Sequence, residues 1–150
     1  MNEKLYKLGI DIGSTTVKIA ILDEQDNLIF SDYERHFANI QETLSNLLHK
    51  AFDSTGEIMV SPMITGSGGL TLAKHLGIDF VQEVIAVSTA LTHYAPQTDV
   101  AIELGGEDAK IIYFENGNVE QRMNGICAGG TGSFIDQMAS LIQTDASGLN

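Results

Sequence analysis

Within the first twenty residues, a carboxylate, a glycine, three hydroxyls and a lysine fall in one short stretch: Asp11, Gly13, Ser14, Thr15, Thr16 and Lys18. Two apolar runs rich in β-branched residues flank it, Lys7 to Ile12 and Val17 to Leu22, so the stretch reads as a tight turn between two strands. Such a turn can hold a phosphate. Gly13 lets backbone approach a ligand closely, and the amides after it can point at an anion. The hydroxyls and Lys18 add donors. Asp11 repels a phosphate but can hold the Mg²⁺ that accompanies one. This is not a Walker loop, because no Gly-Lys-Ser/Thr follows at the required spacing and no helix opens there. An ordinary hairpin with a polar turn is the alternative for the stretch taken alone.

A second copy of the pattern weakens that alternative. Glu103-Leu104-Gly105-Gly106-Glu107-Asp108 again joins two apolar runs through a polar, glycine-containing turn, which implies an internal duplication. Glu103 or Asp108 is then the second carboxylate for a metal or a water, with Gly105 and Gly106 as backbone donors and Glu107 as a third carboxylate in the turn. Two more glycine-rich turns each precede a helix: Gly66-Ser67-Gly68-Gly69, and Cys127-Ala128-Gly129-Gly130-Thr131-Gly132. Cys127 is the single cysteine, so it cannot form an intramolecular disulfide and is structural, reactive or a ligand. A helix mouth there favours a thiolate and an anionic group. The histidines His36, His49, His75 and His93 show no ligand spacing and read as surface or boundary residues. Asp23, Glu24 and Asp26 read as a solvated turn.

These turns need elements to hold them. Residues 5–13, 16–23 and 27–35 read as an antiparallel meander, with Asp26-Asn27 in its second turn. Helical spacing of Ile40, Leu44, Leu47, Leu48 and Ala51 predicts a helix over 39–53. A strand over 59–65, a helix over 70–75, a strand over 80–83 and a helix over 85–94 ended by Pro96 follow. After Pro96 the pattern restarts: strands over 99–104, 107–114 and 119–123, with Asn116-Gly117 as a hairpin signal, and a helix over 133–143. Late alternation of strands with helices implies crossover, partly parallel pairing. The expected division is a first domain over 1–96 and the beginning of a second, duplicated one over 97–150.

The 150 residues are 43% hydrophobic and 19% charged, enough for a packed core. Eight basic against twenty acidic residues give a formal net charge of −12, which argues against nucleic acid or an anionic membrane as partner. Any phosphate must therefore be held by local backbone amides and a few cations. No signal peptide or membrane-spanning apolar run is present, and with the single cysteine this fits a reducing cytoplasm.

Tandem phosphate hairpins, each opening a meander, resemble the actin, Hsp70 and sugar-kinase superfamily of ATPases. The segment Met123-Asn124-Gly125-Ile126-Cys127-Ala128-Gly129-Gly130-Thr131-Gly132-Ser133-Phe134-Ile135-Asp136 is similar to the cysteine segment of one branch. That branch is the 2-hydroxyacyl-CoA dehydratase activators and their benzoyl-CoA reductase ATPase relatives. The resemblance implies an α/β fold: a ribonuclease H-like, actin-type ATPase domain with a mixed five-stranded sheet, plus the first part of a duplicated domain. It implies ATP and Mg²⁺ as ligands, with Asp11 holding Mg²⁺ through water. Gly13, Ser14 and Thr15 would donate to the phosphates and Lys18 would neutralise them. It implies a homodimer with one [4Fe-4S] cluster at its axis, Cys127 as a cluster ligand, and one-electron transfer to an acyl-CoA dehydratase or reductase component.

Two family features are missing from the sequence, a second cysteine and the adenosine-binding motif, as in a truncated chain. The fragment is then a weak ATPase at best, with exposed apolar edges that favour self-association. Glu103 stands where the superfamily usually has Asp, and Glu107 where the activators often have Gln. Two other readings are a small-molecule kinase of the same superfamily, for a sugar or acetate-type substrate, and a non-catalytic module.

Overall fold

The computed structural model describes residues 4–106, 108–115, 118–123, 131–145 and 148; for 131, 133 and 136 it describes the backbone alone. The chain divides into two compact units, Met1–Glu83 and Val84–Asn150.

The first unit opens with three antiparallel strands, β1 (Leu5–Ile12), β2 (Thr16–Leu22) and β3 (Leu28–Arg35). Helix α1 (Ile40–Thr55) then crosses over to β4 (Met59–Thr65), which pairs parallel with β1. Helix α2 (Gly69–Leu76) leads to the short β5 (Asp79–Phe80), parallel with β4. The result is a mixed five-stranded sheet of order β3-β2-β1-β4-β5.

Alternation in sequence sets which face is buried. Leu8, Ile10 and Ile12 of β1 and Val17, Ile19 and Ile21 of β2 all lie in the core, where Leu44, Leu47 and Ala51 of α1 join them. The polar residues between them therefore leave from the opposite face. Asp11 pairs in register with Lys18 of β2 on one side and with Thr65 of β4 on the other. Lys18, Asp11 and Thr65 thus form one row across three strands. A register slip of one residue would bury this row, so the hydrophobic alternation fixes the site as well as the core.

Between β2 and β3 the chain turns on Asp23. Its carboxylate accepts from the Gln25 and Asn27 amides at 2.8 and 2.9 Å and from the Asn27 side chain at 2.9 Å. These bonds, that of the Asn27 side chain foremost, hold the Asp23 carboxyl below its ordinary range. Asp26 takes a left-handed φ of 64°, which Asp tolerates in turns.

The second unit begins with helix α3 (Glu83–Tyr94) and continues as an antiparallel sheet of β6 (Val100–Leu104), β7 (Ala109–Glu115) and β8 (Asn118–Met123). Helix α4 (Thr131–Leu141) follows. The units thus divide thirteen residues before the expected 96/97, whereas element boundaries fall within about two residues of those expected, with one correction. The strand expected over 80–83 stops at Phe80, and Glu83 is already in α3. Val81 makes a last backbone bond to Ile64 at 2.9 Å, after which the carboxylate of Glu83 suits a helix N-terminus better than a strand.

Candidate phosphate-binding hairpins

The β1–β2 turn closes with a bond from the Gly13 amide to the Thr16 carbonyl, 2.9 Å. At its base the Lys18 Nζ donates to Asp11 Oδ2 at 2.8 Å. The side chain of Lys18 is 50% exposed, so the ammonium is free to turn toward a ligand while staying near its carboxylate. Ser14 is exposed at the tip, and Gly13 and Thr15 are partly so.

The other carboxylate oxygen has a different environment. Asp11 Oδ1 and Thr65 Oγ1 are buried and have no hydrogen-bond partner among the described residues. Each such atom costs about 1–3 kcal/mol unless a ligand satisfies it. Two orphaned oxygens on one row, one of them anionic, suit a hard divalent cation or the water bound to it. The residues present therefore fit Mg²⁺.

The glycine-rich turn after β4 helps shape this spot. Gly66 has a φ of 97°, and a Cβ there would lie 2.3 Å from the Ile12 carbonyl oxygen and 2.5 Å from Asp11 Oδ1. Only glycine fits. The Gly68 amide donates to the Ile12 carbonyl at 2.9 Å, tying the turn to the hairpin base. The turn read in sequence as a strand-to-helix connection is thus a wall of the Asp11 site.

The second unit repeats the device at an offset of 92 residues. The Gly105 amide donates to the Asp108 carbonyl at 2.8 Å, as Gly13 does to Thr16. Glu103 pairs in register with Lys110, as Asp11 does with Lys18. Lys110 Nζ lies 3.1 Å from Asp108 Oδ2 and 3.6 Å from Glu103 Oε1. Its side chain is only 7% exposed, so unlike Lys18 it is committed to its carboxylates. Lys110 was missed in the sequence, although the seven-residue spacing from acid to lysine is the same in both copies. The first turn of α4 rests on this hairpin: the Gly132 amide donates to the Gly105 carbonyl at 3.0 Å, and a Cβ on Gly132 would lie 2.6 Å from that oxygen. Gly106 is described with the hairpin, whereas Glu107 and Cys127 lie outside the described residues.

Of the histidines read as surface or boundary residues, His36 lies on the buried side. His36 is 9% exposed and contacts the first hairpin. No spacing rule could find it, because its partners are backbone atoms. No cluster of three or more His, Cys, Asp or Glu able to hold a metal occurs among the described residues. No helix among them is long and apolar enough to cross a membrane.

Comparison with known proteins places the sequence and the fold. The chain is 30% identical over 150 residues to the 2-hydroxyisocaproyl-CoA dehydratase activator of Clostridioides difficile, covering 97% of this chain and 55% of that protein. Among solved structures, component A of the Acidaminococcus fermentans (R)-2-hydroxyglutaryl-CoA dehydratase superposes with a TM-score of 0.78 at 26% identity, over 97% of this chain and 57% of that one. The Clostridium difficile activator of 2-hydroxyisocaproyl-CoA dehydratase, solved with bound ADPNP, gives 0.77 at 29% identity over 96% and 55%. The chain thus spans about half the length of the relatives it matches. The fold is that of the actin-like ATPase activators. Residues 8–149 match the profile of the BadF/BadG/BcrA/BcrD ATPases, and the chain belongs to that family.

Proposed function

We propose that this chain is the nucleotide-handling part of an ATP-hydrolysing activator. In this reading it drives single-electron transfer to a 2-hydroxyacyl-CoA dehydratase or benzoyl-CoA reductase-type partner in the cytoplasm. The observation that carries the nucleotide part is the row Lys18–Asp11–Thr65, with its paired ammonium and its two orphaned oxygens. The bound ADPNP of the structurally similar Clostridium difficile activator supports the same assignment.

Roles follow from chemistry. The amides and hydroxyls of Gly13, Ser14 and Thr15 donate to phosphate oxygens. Lys18 leaves Asp11 Oδ2 to neutralise phosphate charge, and Asp11 Oδ1 with Thr65 holds Mg²⁺ or its water. The metal, when bound, offsets the phosphate charge that this acidic chain would otherwise repel. Glu103, Gly105, Gly106, Glu107 and Asp108 serve the second hairpin, the carboxylates orienting water. Positioning and electrostatics suffice for this class of reaction, with no covalent intermediate. Cys127 supplies one thiolate to a [4Fe-4S] cluster shared in a homodimer.

The test is Mg²⁺-dependent phosphate release by the natural-length polypeptide. Asp11→Asn and Lys18→Ala are each expected to slow it about 100-fold or more. Rates within about threefold of wild type would remove the hairpin from the site. After anaerobic reconstitution with iron and sulfide, Cys127→Ser is expected to lose the bound iron that wild type takes up. A wild type that hydrolyses ATP yet takes up no iron overturns the activator reading and points instead to a kinase or a degenerate homologue without a cluster.

A further inference from the structure

The His36 ring sits between two backbone groups with opposite demands. The Ala38 amide donates to Nδ1 at 3.0 Å, so Nδ1 carries no proton. Nε2 lies 3.2 Å from the Gly13 carbonyl oxygen, which only accepts, so Nε2 carries the proton and donates it. The His36 backbone amide donates to the Thr15 carbonyl at 3.1 Å. Beyond the ring, Phe37 and Ala38 both take positive φ values, 43° and 68°. Neither is glycine or asparagine, so this turn is strained and needs contacts to hold it. The bond from Ala38 to Nδ1 is one such contact.

A peptide group is planar and trans, so its N–H points opposite to its C=O. Holding the Gly13 carbonyl therefore aims the Ser14 amide away from His36. Holding the Thr15 carbonyl aims the Thr16 amide in the same way. We propose that His36 is a positioning residue: through Gly13 and Thr15 it fixes the peptide planes of the phosphate hairpin before nucleotide arrives. It touches no ligand itself. This role rests on the nucleotide reading above.

Two side chains separate the two ring contacts. Glutamine places an amide nitrogen near the position of Nε2 and can keep the donor to Gly13. Asparagine places an amide oxygen near Nδ1 and can keep the acceptor for Ala38, leaving Gly13 unheld. In the natural-length polypeptide, His36→Gln is expected to keep the KM for Mg–ATP within about threefold of wild type. His36→Asn and His36→Ala are expected to raise it about tenfold, the size of one lost hydrogen bond. Equal damage in Gln and Asn variants, or none in any, overturns the proposal. If the variants do not fold, ring-nitrogen NMR of wild type decides: a proton on Nε2 supports the proposal and one on Nδ1 overturns it. A wild type that releases no phosphate overturns the nucleotide reading, and a role for His36 in it. An active wild type with indifferent variants overturns the His36 role alone.

Discussion

The two hairpins show how one acid–lysine spacing gives two electrostatic situations. Lys18 has a single carboxylate and half its surface in water, so losing a ligand leaves it solvated. Lys110 is buried between Glu103 and Asp108, so its charge is what allows those two carboxylates to lie close together. Removing it leaves the two like charges without the cation between them and empties a buried position of its charge. Lys110→Met is therefore expected to lower unfolding stability by about 2 kcal/mol, whereas Lys18→Met changes it by less than about 1 kcal/mol. Urea unfolding of the two variants checks the order, and a larger loss at Lys18 would overturn it. Asp11, Gly13 and Lys18 were legible in the sequence because acid, glycine and lysine stand together between two apolar runs. Lys110 was legible only through the repeat. The Gly66 turn was legible as a glycine-rich strand end, though not its close approach to Asp11, and the role of His36 was not, because a bond to a carbonyl leaves no pattern in residue types.

At the scale of elements, α1 is held to the sheet by more than its apolar stripe. Lys50 of α1 reaches Asp32 at 3.0 Å and Glu34 at 2.6 Å on β3. The hydrogen bond from Lys50 is the largest influence on Asp32 and holds its carboxyl below the ordinary 3.8, although partial desolvation opposes it. Glu34 first and Asp32 second raise the Lys50 ammonium above 10.5. A depressed acid stabilises the fold above its unfolded value and loses that contribution as pH falls through the folded one. A raised base does so below its unfolded value and loses it as pH rises through the folded one. The stability difference between wild type and Lys50→Met is thus expected to be constant between the two ordinary values and to shrink outside them. Urea midpoints across pH check this, and a difference undiminished at about pH 2 would count against the pairing. The strands were legible because period-two alternation is strong in β1 and β2. The end of β5 was not, because Val81 and Gln82 suit a strand locally and only the start of α3 removes them.

For the molecule as a whole, the duplication has an asymmetric outcome. Leu8, Ile10 and Ile12 are buried in the first unit, but their counterparts 92 residues on, Val100, Ile102 and Leu104, are 45, 69 and 50% exposed. The outer row of β6 is therefore an exposed apolar strip on a chain of net charge −12. Two forces then compete when chains meet. Apolar burial favours contact at roughly 25 cal/mol per Å² and is little affected by modest salt. Charge repulsion opposes contact and reaches about 30 Å at 0.01 M salt but only about 8 Å at 0.15 M. Raising salt through that range weakens repulsion and leaves the apolar term, so self-association of the 150-residue chain is expected to increase. Sedimentation at the two salt concentrations measures it, and Ile102→Glu is expected to abolish the increase by placing a charge in the strip. Association that falls with salt would mean that ion pairs, not this strip, hold the chains together.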